Sequence, residues 1–455
     1  MNVAPPPAVA APAQTETQTA TVAALTREGE GVVHAGKTVF VAGALPGERI
    51  RFRRTRRHRQ HDDGELVEVL EPSPARSVPR CAHFGVCGGC ALQHLAPAAQ
   101  LAAKDAELRE ALGRVARVSP ASWLPPLAGP AWGYRRRARL GARFVHKKGV
   151  QVVGFRERRG RYVAQLARCE VLAAPAGELI APLAALLGRL DIREHLPQVE
   201  VAVADNATAL VLRVLREPTS ADLARLGEFA AAHGVRLYLQ PQGLDSVREL
   251  GAGGEPLCYH LRRFGLALEF APTDFIQVNG TVNEALVAHA VELLALTPDS
   301  VVLDLYCGLG NFTLALACRA GRAVGVDGEP TLIERARLNA GRNRIANAEF
   351  HLADLAQPPD PHTAWLCAPY THVLLDPPRT GARPVLAALA RLAPQRLLYI
   401  SCHPGSLARD LGELVHEHGF TLAAAGVVDM FPHTAHVESL ALLTSTGPAP
   451  RTPAV

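Results

Sequence analysis

What the chain lacks narrows its reading first. In 455 residues no apolar run reaches the roughly 18 to 20 residues that a membrane-spanning helix needs. The N-terminal stretch is built of Ala, Pro, Thr and Gln rather than a basic segment followed by an apolar one, so no secretory signal is expected there. No motif recurs at a fixed period, which sets repeat architectures aside. The nine cysteines are odd in number and unaccompanied by a secretion signal, which points to a reducing cytoplasm and to thiols used as ligands or nucleophiles.

What is present describes a globular protein. Hydrophobic residues make up 48% and charged residues 20% of the chain, and its length calls for about three domains rather than one core. The net charge of +5 is mild, but it is concentrated. Seven arginines fall between Arg49 and Arg59. A second cluster, Arg135, Arg136, Arg137, Arg139, Arg143, Lys147 and Lys148, follows Trp132 and Tyr134. Basic clusters beside aromatics suit a phosphate backbone with stacked bases, and the alternative is a solvated charged face.

Short alternating segments with glycine turns (21–25, 31–34, 38–41, 48–53 and 66–70) predict a small five-stranded β-barrel, followed by a linker at Pro72, Pro74 and Pro79. Cys81, Cys87 and Cys90 then form C-x5-C-x2-C with Gly88 and Gly89 between the last pair. That spacing points to an iron-sulfur cluster or a four-cysteine zinc site, with Cys169 the nearest remaining fourth ligand. The C-x3-C-x2-C spacing of radical chemistry is missing, which favours a structural cluster. Residues 132–270 read as an α+β segment. From residue 301 onward, strands at 301–305, 322–326, 349–352, 372–375, 396–400 and 422–427 alternate with helices, and a last strand at 437–443 closes the pattern. This predicts an α/β fold with a doubly wound, mostly parallel sheet.

Strand tips in such a sheet carry ligands. The first runs into Asp304-Leu305-Tyr306-Cys307-Gly308-Leu309-Gly310-Asn311, and Asp327 ends the second, where a carboxylate would bind ribose hydroxyls. The third glycine of a dinucleotide fingerprint is missing, with Phe312 and Thr313 in its region, and Asp304 precedes the glycines. S-adenosylmethionine is therefore favoured over a nicotinamide cofactor. Asp354 follows the third strand, placed either to accept from an adenine amino group or to cap a helix. The fourth strand ends in Asp376-Pro377-Pro378-Arg379, and the fifth in Cys402 before His403-Pro404-Gly405. A thiol beside an Asp-Pro-Pro tip points to a carbon target, because thiolate addition to C6 of uracil makes C5 nucleophilic. Glu438 opens the last strand and is the candidate base for the C5 proton. His403 and His436 read as structural helpers, and Cys258, Cys307, Cys318 and Cys367 as packing.

Taken together, C-x5-C-G-G-C, F-I-Q-V-N, D-L-Y-C-G-L-G-N-F-T, L-D-P-P-R, S-C-H-P and H-V-E-S resemble the bacterial 23S rRNA uracil-5-methyltransferases, in the branch with a TRAM domain and a [4Fe-4S] cluster. The resemblance runs from about residue 18 to 444. It implies a leader at 1–17, a TRAM (OB-like) β-barrel at 18–74, a central α+β domain with the cluster at 75–270, a Rossmann-like S-adenosylmethionine methyltransferase domain at 271–446 and a tail at 447–455. It implies Cys81, Cys87, Cys90 and Cys169 as [4Fe-4S] ligands. Gln277, Tyr306, Asn311, Asp327, Asp354 and Asp376 match cofactor-binding positions, Cys402 the nucleophile and Glu438 the base. Tyr306 stands where Phe is common, and Asp327 where Glu is common. The implied partner is 23S rRNA, with its target uridine flipped out of the stack, acted on by a cytoplasmic monomer. The rivals are the same reaction on tRNA, whose enzymes usually lack both the TRAM module and the cluster, and a non-catalytic iron-sulfur RNA-binding factor.

Overall fold

The computed structural model describes residues 16–26, 28–251 and 253–445. The leader and tail expected at 1–17 and 447–455 lie outside these residues, apart from Glu16 and Thr17. The chain divides into two compact units, the first reaching to Pro79 and including Ala91–Ala96, the second comprising Arg80–Cys90 and the chain from Pro97 onward.

The first unit holds one six-stranded sheet in the order β1-β5-β6-β4-β3-β2. Its strands are β1 (Thr17–Thr21), β2 (Ala24–Leu25), β3 (Glu30–Ala35), β4 (Lys37–Ala42), β5 (Arg49–Arg57) and β6 (Asp62–Glu71). The single strand expected at 21–25 is two strands with different partners. Val22 is buried and donates its N–H to Glu48, whereas Ala23 donates to Val32, so the chain leaves β5 for β3 at this corner. Val22, Val33, Val39, Val41, Ile50 and Phe52 form its core. The arginines expected to face RNA are partly neutralised, because Arg49, Arg51 and Arg53 pair across the ladder with Glu71, Glu68 and Glu65, and Arg54 pairs with Asp62. No carboxylate partner stands at Arg56, Arg57 or Arg59 among the described residues.

The second unit begins after its cysteine segment with α1 (Pro97–Ala111) and β7 (Ser122–Trp123). A mixed sheet follows, ordered β13-β12-β11-β10-β8-β9, from β8 (Arg137–Val145), β9 (Val150–Gly154), β10 (Gln198–Val203), β11 (Thr208–Arg213), β12 (Val235–Gln240) and β13 (Arg248–Glu249). Helices α2 (Ile180–Gly188) and α3 (Ser220–His233) contribute Ile180, Leu183, Leu186, Leu226 and Phe229 to the core it shares. Here too cations are paired: Arg136 with Asp205, and Arg137 and Arg139 with Glu200. A hairpin of β14 (Leu257–Leu261) and β15 (Leu266–Phe270) leads to α4 (Gly280–Leu294).

The last sheet has eight strands in the order β18-β17-β16-β19-β20-β22-β21-β7. They are β16 (Val301–Leu305), β17 (Arg322–Asp327), β18 (Ala348–Leu352), β19 (His372–Leu375), β20 (Arg396–Ser401), β21 (Phe420–Val428) and β22 (Glu438–Ser445), joined by the edge strand β7. Strands β16 to β20 are parallel, and β22 runs antiparallel between β20 and β21. Helices α5 (Thr313–Ala317), α6 (Pro330–Arg342), α7 (Arg383–Leu392) and α8 (Pro404–His416) connect them. This is the Rossmann-like fold expected. Its inner strands read as continuous apolar runs because helices cover both faces, whereas the edge strand β18 is mixed and half exposed. Leu303, Leu305, Val324, Val373, Leu397 and Tyr399 fill one layer, and Val302, Leu374, Leu398 and Ile400 the other. The eighth strand was not legible, because β7 has two residues and pairs with β21, some 300 positions later. Strand order reverses between β16 and β19, which opens a crevice at their C-terminal ends.

Candidate active site

The crevice is built from successive strand tips. After β16 the backbone turns through positive φ at Tyr306 (66°), Gly308 (55°) and Gly310 (93°). Glycine adopts that conformation without penalty, whereas a tyrosine holds it only where its surroundings enforce it. Here Val326 accepts the backbone N–H groups of Tyr306 and Cys307 at 2.8 and 3.1 Å. Asp327, at the end of β17, accepts from the N–H of Gly308 and of Glu329, each at 2.9 Å, which fixes its carboxylate at the turn. Asn311 Oδ1 accepts from Tyr259 Oη and from Asn283 Nδ2, each at 2.9 Å, while Asn311 Nδ2 donates back to Asn283 Oδ1. Asp354 lies two residues beyond β18, and its carboxylate accepts from the N–H of Ala356 at 2.9 Å, an Asx turn rather than a helix cap.

Asp304 departs from expectation. Its carboxyl is turned into the core and receives Thr313 Oγ1 at 2.5 Å. Burial, reinforced by Asp376 and Asp327, pushes it up to about 8, so it stands as a neutral structural acid rather than as a charge facing a cationic ligand.

The far side of the crevice carries the candidate reactive groups. Gln277, just before the Asn279 cap of α4, donates its amide to Asp376 Oδ2 at 3.2 Å. Asp376 is partly buried, and desolvation pushes it up to about 7 against the Gln277 hydrogen bond. Ser401 pairs with Ser439 as the last step of the antiparallel β20–β22 ladder, so Cys402 and Glu438 are the next residues at the same end of it. Glu438 is 3% exposed. Desolvation and the neighbouring Asp376 raise its pKa well above the usual carboxylate range, and Arg379 opposes them. The Cys402 thiol is pushed up to about 11 by burial and by Glu438 and Asp376, and drawn down by Arg379. One thiol, two carboxyl groups with raised pKa values and one guanidinium therefore stand near enough to influence one another. His403 caps α8, with its Nδ1 accepting from the Ser406 N–H at 3.0 Å, and His436 Nδ1 stands 3.1 Å from Arg379 Nη2.

Of the four candidate cluster cysteines, Cys81 and Cys169 stand near enough to Cys87 to raise its pKa, and Cys90 and Cys169 both act on Tyr134. Cys81, Cys87, Cys90 and Cys169 are all free thiols. Burial pushes Cys87 up to about 11, and Cys169 and Cys81 add to the shift, while Cys81 also raises Cys169. The N–H of Gly89 donates to Cys87 Sγ at 3.4 Å, and the N–H groups of Val171 and Leu172 favour the Cys169 thiolate. A side chain at Gly88 would strike the Arg156 carbonyl at 2.8 Å. Of the remaining cysteines, Cys307 is buried as expected for packing, but Cys367 is exposed.

The sequence reading missed Tyr259 and Asn283, which hold Asn311, and gave Arg379 no role. Asn279 and Asn283 stand one turn apart at the start of α4, a spacing that hints at a shared task. Nothing local marks Tyr259.

The family model for tRNA (uracil-5-)-methyltransferase matches residues 262–356 and 367–446. The chain is 48% identical over 438 residues to the 23S rRNA (uracil(1939)-C(5))-methyltransferase RlmD of Nitrosococcus oceani, covering 96% of this chain and 98% of that relative. It belongs to the 23S rRNA (uracil(1939)-C(5))-methyltransferase family. A second member, RlmD of Xanthomonas campestris pv. campestris, is 49% identical over 416 residues, covering 91% of this chain and 93% of the relative. The RlmD-family chain also shares its fold with the Pyrococcus abyssi tRNA (uracil-54, C5)-methyltransferase solved with S-adenosyl-L-homocysteine. That match has a TM-score of 0.72 at 24% identity and covers 94% of this chain and all of the other.

Proposed function

We propose that this protein transfers a methyl group from S-adenosylmethionine to C5 of a uridine in 23S rRNA, through a covalent bond between Cys402 and C6. The observation that carries the reading is the electrostatic influence of Glu438, Asp376 and Arg379 on Cys402, with Cys402 and Glu438 each one residue beyond the last Ser401–Ser439 pair of the β20–β22 ladder. C5 of uracil is a poor nucleophile until a thiolate adds to C6. Arg379 favours the Cys402 thiolate, and the same charge offsets the negative charge gathering beside it. Once C5 is methylated, Glu438 removes its proton. The C5–H electron pair then restores the C5–C6 double bond, and the thiolate leaves Cys402–C6 with its own pair. A carboxylate with a raised pKa is well matched to that removal.

S-adenosylmethionine supplies an electrophilic methyl group on a sulfonium. Gln277, Tyr306, Asn311, Asp327, Asp354 and Asp376 are the residues that would hold it, and the Asp327 carboxylate, fixed by two backbone N–H groups, suits ribose hydroxyls. Cys81, Cys87, Cys90 and Cys169 would hold a [4Fe-4S] cluster. Backbone N–H groups directed at the Cys87 and Cys169 sulfurs, and a glycine at 89 where a side chain would crowd Cys87 Sγ at 3.5 Å, support this reading. Residues 18–74 would serve as a TRAM module that contacts rRNA, with Arg56, Arg57 and Arg59 as its uncommitted cations.

In the deciding experiment, Glu438→Gln accumulates a denaturation-resistant protein–RNA adduct and Cys402→Ala forms none. Methylation by Cys402→Ala would refute the mechanism. For the cluster, anaerobically purified protein is expected to carry about four iron and four sulfide per chain; zinc without sulfide would refute it.

A further inference from the structure

Val428 of β21 pairs with Glu438 of β22, so residues 429–437 close the hairpin that delivers the carboxylate. So long a connection does not hold a strand start in place through its own ladder. Helix α1, more than 300 residues earlier, grips it instead. Gln100, Lys104 and Leu108 recur every fourth residue on the buried face of α1. Gln100 and His433 form a reciprocal pair: the His433 N–H donates to Gln100 Oε1 at 2.9 Å, and the Gln100 amide nitrogen lies 3.2 Å from His433 Nδ1. Lys104 Nζ donates to Asp429 Oδ1 at 2.7 Å and to the Phe431 carbonyl at 2.9 Å.

The gripped loop is conformationally demanding. His433 has φ of 63°, a left-handed backbone that a side chain adopts only under constraint. Its ring lies against Trp132 with centroids 3.9 Å apart, and Tyr134 Oη donates to the Pro432 carbonyl at 3.0 Å. At the loop's far end, His436 meets Arg379, the cation shared by Cys402 and Glu438. Lys104 is 3% exposed, and burial pulls its pKa down against the opposing pull of Asp429. A buried ammonium is costly, and an apolar side chain at this site would pack more cheaply, so stability alone gives no reason for a lysine here.

We propose that Gln100 and Lys104 are positioning residues for proton removal: they fix the 429–437 loop so that Glu438 faces the C5 proton of the Cys402-bound uracil. The inference rests on the reading of Glu438 as the base. The bonds concerned are those given above, with the C5 proton passing to the Glu438 carboxylate and the Cys402–C6 bond breaking.

The test uses cluster-loaded enzyme, S-adenosylmethionine and 23S rRNA from cells lacking this protein. Lys104→Met removes the ammonium but keeps the stem. Lys104→Met with Asp429→Asn removes both charges, so that no carboxylate is left unpaired should the single variant fold poorly; thermal melting reports this. In both, adduct formation and the KM for RNA stay at wild-type values. Adduct release slows, so that kcat falls about tenfold and the trapped adduct rises in proportion. A kcat that falls without adduct, or adduct that forms more slowly, overturns the proposal, as does unchanged turnover in the folded double variant. Glu438→Gln is the reference. If it accumulates adduct and the Lys104 variants do not, the positioning role alone fails. If it accumulates none, the base assignment fails and the positioning role falls with it.

Discussion

The raised pKa of Cys402 makes a quantitative prediction about its reactivity in the ligand-free protein. At pH 8 a thiol held at about 11 is roughly one part in a thousand thiolate, against about one part in ten for an ordinary thiol at 9.0. The hundredfold deficit is partly returned, because a more basic thiolate attacks faster. With a Brønsted slope of about 0.4 to 0.5 over two pK units, roughly 6- to 10-fold comes back. Alkylation of Cys402 by iodoacetamide should therefore run about 10- to 15-fold slower than that of an unperturbed thiol. Its rate should climb steadily with pH and show no plateau near pH 9. Glu438 is the largest charge that raises this thiol. Glu438→Gln should lower the Cys402 pKa by on the order of one unit and speed alkylation about threefold between pH 8 and 10. Quantitative peptide mass spectrometry of Cys402 after timed quenching measures both. A wild-type rate that levels off by pH 9, or a Glu438→Gln protein that reacts more slowly, would refute the electrostatic coupling of Cys402 to Glu438.

Three further outcomes test the framework around the site. Asp304 holds its proton up to about 8 when folded, whereas an unperturbed Asp releases it near 3.8, so the native state binds more protons between those values and stability falls as pH rises through that window. Asp304→Asn should raise the melting temperature at pH 8, by about 1 to 3 kcal/mol of stability, and change little near pH 4; an equal effect at both pH values would contradict this. In the first unit, buried Glu48 accepts from Arg76 and from the N–H groups of Leu45 and Ser73, and its pKa is lowered. Its contribution is present above the ordinary 4.5 and is lost as pH falls through its lowered folded value. Glu48→Ala should cost on the order of 3 to 5 kcal/mol in urea unfolding at neutral pH, because the Arg76 charge loses its partner. A side chain at Gly325 would meet Phe350 at 2.8 Å and Cys307 Sγ at 2.9 Å. Gly325→Ala should therefore cost about 1 to 3 kcal/mol and weaken cofactor binding, since the same strand positions Asp327; a neutral melt would show that the site has slack.

The sequence by itself determined the Rossmann-like sheet and its reactive edge. The apolar runs at 301–305, 322–326, 372–375, 396–400 and 422–427 mark strands buried on both faces, and β-geometry leaves no other place for Asp327, Asp376 and Cys402 than the strand tips. It also marked the cysteine segment, whose spacing is local. What it could not determine depends on contacts between residues far apart in the chain. The splitting of the first strand at Val22 follows from a change of partner, from β5 to β3, that no local pattern carries. The inward turn of Asp304 depends on Thr313, nine residues on, and on the layers that close over both. The pairing of Arg49, Arg51 and Arg53 with glutamates follows from the β5–β6 register, which no local pattern carries. Above all, β7 and α1 join the last sheet from early in the chain, and the grip of Gln100 and Lys104 on the loop before Glu438 exists only because tertiary packing brings positions 100 and 433 together. Burial and charge set the chemistry of Cys402 and Glu438, and both are properties of the folded neighbourhood rather than of the residues' order.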